Sequence, residues 1–180
     1  MNSPLMKKVV FMPNFSMSDI FAQLASRLVQ EGKNDMAKKV VEKVEQAIPP
    51  TAVPHSYTSG SLELARVWNT IGGKKEANDI ALAVANKASE YLEWYLNLPG
   101  NMLLLSQKEC ASSMYQMHSA ISILESAGSD KVMELAKKLD IYNQLIQARF
   151  YGSVGMGADE SVEAEEDEYE EEEPYEEDTL

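Results

Sequence analysis

Two stretches of the chain, forty positions apart, carry the same pattern of residue types in the same order. Leu24-Ala25 aligns with Leu64-Ala65, Leu28 with Trp68, Gly32 with Gly72, and Ala37 with Ala77. Each stretch gives Leu-Ala, a bulky residue three positions later, then a glycine, then an alanine five beyond it. Such a pattern suits a hairpin of two helices. The glycine allows the tight reversal, the alanine lets the second helix approach the first, and the bulky side chain fills the space above them. A third, degenerate unit runs through Ala120, Ile121, Leu124, Gly128 and Met133. There methionine replaces the small residue, which is expected to push the helices apart. Hairpins of this kind bury little alone, and about three must stack to make a core.

The rest of the chain fits that frame. Residues 1–16, with Pro4 and Pro13, show no period and form an irregular leader. Helix one begins after Ser16 or Ser18, with Ile20, Phe21, Leu24 and Leu28 on its inner face, and stops at Gly32. Asn34 caps helix two, which turns Met36, Ala37, Val40, Val41, Val44 and Ile48 inward and ends at Pro49-Pro50. A proline-stiffened loop leads to Gly60. Helix three covers 61–71, and Gly72-Gly73 closes it. A long helix covers 74–96, Pro99-Gly100 is a firm break, helix five covers 105–127, and Ser129 caps a sixth that reaches Phe150. No segment has the alternation of a strand. The expectation is all-α, about six helices in antiparallel pairs. The helical domain is residues 17–150, and a glycine linker with an acidic, disordered tail covers 151–180.

Charge supports the division. The net charge is −13, but 14 of the 29 acids lie within 159–178, and no Lys or Arg follows Arg149. The 15 remaining acids face 16 bases, leaving a body of net +1. That body lacks the basic surface that binding a phosphate backbone requires, so nucleic acid is not an expected partner. The tail's charges repel and its apolar content is low, so it is expected to stay disordered. It either solubilises the protein or docks on a basic partner or on Lys74-Lys75 and Lys137-Lys138. The longest early apolar run, Val9–Met12, is too short for a membrane span or a signal-peptide core, so no direct membrane insertion is expected. A single cysteine, Cys110, rules out an internal disulfide.

The hairpin spacing resembles the tetratricopeptide repeat, with the first unit matching best: Leu24, Ala25, Leu28, Gly32, Ala37, Val41, Val44 and a closing Pro49. The resemblance implies a right-handed α-α superhelix, with a period stretched beyond the usual ~34 residues by the loop 49–59. A second resemblance rests on Phe21-Ala22-Gln23-Leu24-Ala25, Glu31-Gly32-Lys33, Ile48-Pro49-Pro50, Val53-Pro54-His55-Ser56-Tyr57, Leu64-Ala65 and Glu90-Tyr91-Leu92-Glu93-Trp94-Tyr95-Leu96. Phe21 through Leu98 resembles the soluble C-terminal domain of a large Bacteroidota membrane-protein family, and the likeness extends weakly to about residue 149. That family's N-terminal part looks like a protein O-mannosyltransferase. The resemblance implies a cell-envelope location on the periplasmic side of the inner membrane, and an accessory rather than catalytic role. The multi-pass part is absent, so the chain is either a detached C-terminal domain or a stand-alone relative.

No residue pattern points to catalysis, a cofactor or a metal. His55 lies in the proline loop and His118 in a helix, neither with a second ligand at metal spacing. Cys110 suits a small buried hydrophobe. Gly152, Gly155 and Gly157 follow a helix and lack the strand and Lys-Ser/Thr of a phosphate loop. Glu90 and Glu93 are three apart without implied partner geometry. What stands out is Tyr91, Trp94 and Tyr95, which either pack against the next helix or offer a platform to a protein partner. A stack of helix pairs also offers a concave face, expected near Gln23, Arg27, Arg66 and Asn69. The expected function is a non-catalytic module that binds a protein or peptide, or braces one. The alternative is an accessory part of a membrane glycosyltransferase-like enzyme that assists glycosyl transfer without carrying its catalytic residues.

Overall fold

A computed structural model describes residues 18–55 and 60–155, and only the backbone of 151–155. No strand occurs among the described residues. Helix α1 covers 18–30, followed by α2 (Asn34–Ala47), α3 (Ser61–Thr70), α4 (Lys74–Leu96), α5 (Gly100–Leu105), α6 (Gln107–Ala127) and α7 (Val132–Gly155). There are thus seven described helices where the sequence suggested six. Pro99-Gly100 does not simply break the chain: Pro99 is the N-cap of α5 and Gly100 its first residue. Proline at a helix start gives up no intrahelical bond, because that N–H would have no partner anyway. At the other end, α7 continues past the expected Phe150 to Gly155.

The repeated glycines have one physical task. Gly32, Gly72 and Gly128 all take positive φ, at 74°, 91° and 81°. In each case the next N–H bonds back to the carbonyl five residues earlier: Lys33 to Leu28 at 2.8 Å, Gly73 to Trp68 at 2.8 Å, Ser129 to Leu124 at 2.9 Å. The glycine N–H itself bonds three residues back, to Val29, Asn69 and Glu125. This is the Schellman closure of a helix end. The bulky residue of the repeat is therefore the acceptor of that closure as well as a packing group. α1–α2, α3–α4 and α6–α7 are each joined by such a bend.

Packing departs from the expected faces in several places. On α1 the inward residues are Ser18, Ala22 and Ala25, with Phe21, Leu28 and Val29 half-buried; Ile20 and Leu24 point outward. The expected face was therefore turned, because alanines let α1 lie close to its neighbours and the larger leucine and isoleucine are left outside. Met36 is exposed and Val40 only half-buried, so α2 is anchored by Ala37, Val41, Val44 and Ile48. Asn34 does not cap α2: Lys33 holds that position, with no side-chain cap bond. Met133 points outward and Leu135 inward, so the third hairpin keeps the glycine closure but not the small-residue register. Its helices are not wedged apart by methionine.

The centre of the molecule is α4, which packs on α3, α6 and α7. Its broadest contact is with α6, broader than the contact between α6 and its own hairpin partner α7. Small groups allow this: α4 buries Ala77, Ala81, Ala85, Ala88 and Ser89, and α6 buries Cys110, Ser113, Ser119 and Ala120. Larger Ile80, Val84, Leu92, Met117 and Leu124 fill between them. Polar pins join the layers. Trp68 Nε1 on α3 donates to Glu45 Oε1 on α2 at 2.8 Å. Burial pushes the Glu45 carboxyl above its usual range; the indole N–H opposes this, and nearby Glu76 and Glu42 add to it. Tyr142 on α7 donates to Glu93 Oε1 at 2.6 Å and accepts from Ser89 Oγ at 2.8 Å, both on α4. Arg149 donates to the carbonyls of Leu96 and, at 2.7 Å, Leu98, satisfying acceptors left free at the end of α4.

Candidate functional site

The second half of α4 presents one outward stripe. Lys87, Glu90, Tyr91 and Trp94 follow the i, i+3, i+4, i+7 spacing of a single helix face. The opposite face, with Ala85, Ala88, Ser89, Leu92 and Tyr95, is buried. Trp94 is 56% exposed and Tyr91 38%, against 9% for Tyr95. The aromatic cluster is therefore split: Tyr95 belongs to the core, while Tyr91 and Trp94 face outward.

Each exposed ring is braced. The Trp94 and Tyr95 rings meet edge to face, with centroids 5.1 Å apart and planes at 66°. Such a contact adds roughly 0.5–1.5 kcal/mol beyond area burial, and it ties an exposed indole to an immobile phenol. Tyr95 is fixed against α6: burial raises its phenol pKa first, with Glu109, Cys110 and Tyr91 adding to the rise. The Lys87 ammonium lies 5.1 Å from the Tyr91 ring centroid, and Lys87 Nζ donates to Glu90 Oε2 at 2.6 Å. Glu93, just behind the stripe, is held by Tyr142, and Asn97 Nδ2 donates to the Glu93 carbonyl at 2.8 Å. The result is a pre-ordered aromatic surface with one cation and one carboxylate at its edge.

The other expected residues do not assemble with it. Gln23 and Arg27 are exposed on α1, where Gln23 donates to Asp19 at 3.2 Å. Arg66 is exposed on α3 and paired with Glu63 at 3.0 Å; Asn69 is half-buried. At the forty-residue shift Arg27 aligns with buried Val67, and Arg66 with half-buried Ser26. The two arginines therefore occupy unequal positions in their hairpins. No hydrogen bond or ion pair links the α1 pair to the α3 pair among the described residues.

Chemistry-bearing groups elsewhere are spread out. Among the described residues no three His, Cys, Asp or Glu side chains gather as a metal site would require. Cys110 is buried, and burial raises its thiol pKa. Burial also holds the imidazole of half-buried His55 below its usual range. His118 is exposed on α6. No described helix is long and apolar enough to cross a membrane. The acidic tail and the Gly157 part of the linker lie outside the described residues, while Gly152 and Gly155 lie in α7. Sequence reasoning missed the short α5 as a feature. It buries only Leu103 and leaves Met102, Leu104 and Leu105 exposed. Its signal was the run Met102-Leu103-Leu104-Leu105 just after Pro99-Gly100-Asn101.

No protein-family model matches the chain, no curated protein matches it, and no solved structure matches it.

Proposed function

We propose that the protein is a non-catalytic, tetratricopeptide-like interaction module, and that the α4 stripe is where it takes a protein or peptide partner. The observation that carries this is Trp94: a more than half-exposed indole locked edge-on to a buried tyrosine, with Tyr91 beside it on the same face. Each ring makes one bracing contact within the fold yet leaves much of its surface in water, and Trp and Tyr are enriched among residues that dominate binding interfaces. The rings lose little conformational freedom on binding because their neighbours already hold them. Three glycine-closed hairpins support the repeat-like architecture. An accessory role at the cell envelope rests on the resemblance carried by residues 21–98.

The test uses the full chain, with Tyr91→Ala/Trp94→Ala against Arg27→Ala/Arg66→Ala. Partner capture from envelope extract is quantified for each. The aromatic double variant is expected to lose a partner retained by the arginine variant, because a hot-spot aromatic contributes ~2 kcal/mol or more, about thirtyfold in affinity. Trp94→Ala should cost folding no more than the edge contact with Tyr95, roughly 0.5–1.5 kcal/mol, so the variant stays folded while capture is lost. Equal capture by all chains would remove the stripe from the mechanism.

A further inference from the structure

We infer that the α4 stripe takes an arginine side chain of its protein partner, with the guanidinium stacked on the exposed Trp94 indole and its edge turned to the Glu90 carboxylate. The inference rests on the reading of this stripe as the partner face, and it names the chemistry that the face selects. The fold already makes the same kind of contact one ring away. The Lys87 ammonium lies 5.1 Å from the Tyr91 ring centroid, inside the ~6 Å over which a cation is drawn to an aromatic face. Among the described residues no cation lies over Trp94, whose ring contact is the edge-to-face meeting with Tyr95. Indole is the strongest of the aromatic cation acceptors, so the better of the two ring sites is the one left open.

The surrounding charges favour a cation. Glu90 stands one turn before Trp94 on the same face, and Lys87 bonds only its Oε2. Exposed Glu93 borders the stripe on its α7 side, where Tyr142 bonds its Oε1. Exposed Glu109, on α6, is close enough to Tyr95 to raise its phenol pKa; neighbouring Lys108 is not among the charges that act there. Arg149 also reaches this end of α4, but its guanidinium is turned onto the carbonyls of Leu96 and Leu98. Carboxylates at Glu90, Glu93 and Glu109 are thus set around the rings against the single ammonium of Lys87. Such a rim is complementary to a basic side chain and repels an acidic one.

Arginine suits this arrangement better than lysine. A guanidinium is planar, with its N–H donors in the plane and both faces clear, so one group can stack on an indole and donate sideways to a carboxylate. It is also more weakly hydrated than an ammonium, so laying it on a ring sacrifices less solvation. Side chains one helical turn apart are separated by about 5–6 Å at their Cβ atoms, which brings Glu90 within reach of a group stacked on Trp94. Most of the contact is burial of the guanidinium face and its methylene stem on the ring. The bond to Glu90 sets its orientation.

The test is an NMR titration of the full chain at about 0.15 M salt. The chain has two tryptophans, and Trp68 is buried and bonded to Glu45, so the two indole N–H signals report separately; Trp94→Phe assigns them. The probe is the capped tripeptide Ac-Gly-Arg-Gly-NH2, compared with the same peptide carrying lysine or citrulline, the neutral planar analogue of arginine. The arginine peptide is expected to move the Trp94 signal saturably and leave the Trp68 signal in place. Its affinity should exceed that of either comparison peptide about tenfold, and Glu90→Gln should reduce it at least about threefold. Equal shifts from the three peptides, no saturable shift, or an unchanged affinity in Glu90→Gln overturns the proposal. Partner capture separates this inference from the reading beneath it. A partner lost from Tyr91→Ala/Trp94→Ala, yet held by Glu90→Gln in excess arginine peptide, overturns the arginine assignment and leaves the interaction module standing. Arginine-selective shifts beside capture that the aromatic double variant does not alter uphold the arginine site and remove the stripe from partner capture.

Discussion

At Gly72 and Gly73 two adjacent glycines are required for different reasons. Gly72 has φ of +91° and open space where a Cβ would go; Gly73 has φ of −79° and no room. A Cβ on Gly73 would collide with Trp68 Cε3 and lie 3.1 Å from Cζ3. Gly72→Ala should therefore lose roughly 1–2 kcal/mol from left-handed backbone strain, and Gly73→Ala about 1–3 kcal/mol from overpacking. Only the second should disturb the Trp68–Glu45 bond, visible as a change in buried-tryptophan fluorescence during urea titration. Glu45 makes a separate prediction. Its folded pKa is raised, so the folded state holds this proton more tightly than the unfolded chain. The group's stabilising contribution is complete below the usual carboxylate pKa of 4.5 and is lost as pH rises through its higher folded pKa. Glu45→Gln keeps an oxygen acceptor for the Trp68 N–H without the buried charge. The melting temperature of Glu45→Gln should fall less than that of the unaltered protein as pH climbs from 4.5. An unchanged slope over that interval would mean that the carboxyl is not the group responsible.

At the scale of elements, α7 is attached to α4 by few groups. Tyr142 joins Ser89 and Glu93, and Arg149 closes the carbonyl end of α4. Tyr142→Phe leaves the Glu93 carboxylate and Ser89 hydroxyl without that partner. It should destabilise by about 1–3 kcal/mol, with amide exchange in α7 accelerating more than in α3. Uniform acceleration over all helices would show that α7 does not open separately. The helices themselves were legible from local chemistry. The start of α4 and the helix ends at Gly32, Gly72 and Gly128 follow from glycine closures, which depend on a few neighbouring residues. The faces were less legible. Ile20 and Leu24 fit an inward helical row by hydrophobicity, yet Ala22 and Ala25 take the interior because close helix approach rewards small volume. The split between Tyr91 and Tyr95 was hidden for a related reason: four residues apart, they straddle the edge of α6's footprint, and that footprint is a tertiary fact. The Tyr142–Glu93 bond, 49 residues apart, has no local signal.

For the whole molecule, two sources of partner attraction are physically separable. The stripe on α4 offers two rings and a nearly self-neutral Lys87–Glu90 edge, so its contacts depend mainly on surface burial. The tail holds 14 of the 29 acids, and removal of residues 156–180 takes the net charge from −13 to +1. Attraction to that tail is screened as the Debye length shrinks from about 30 Å at 0.01 M salt to about 3 Å at 1 M. A partner seated on Tyr91 and Trp94 should bind the full chain and the chain ending at Gly155 with similar affinity at high salt. It should be lost from the full chain on Tyr91→Ala/Trp94→Ala whether or not the tail is present. Capture that collapses at 1 M salt, together with none by the shortened chain at any salt, would assign recognition to the carboxylates and leave α4's rings without that role. Because the two contributions differ in sign of salt response and in location, a titration of salt against the two chain lengths distinguishes them even before the partner is identified.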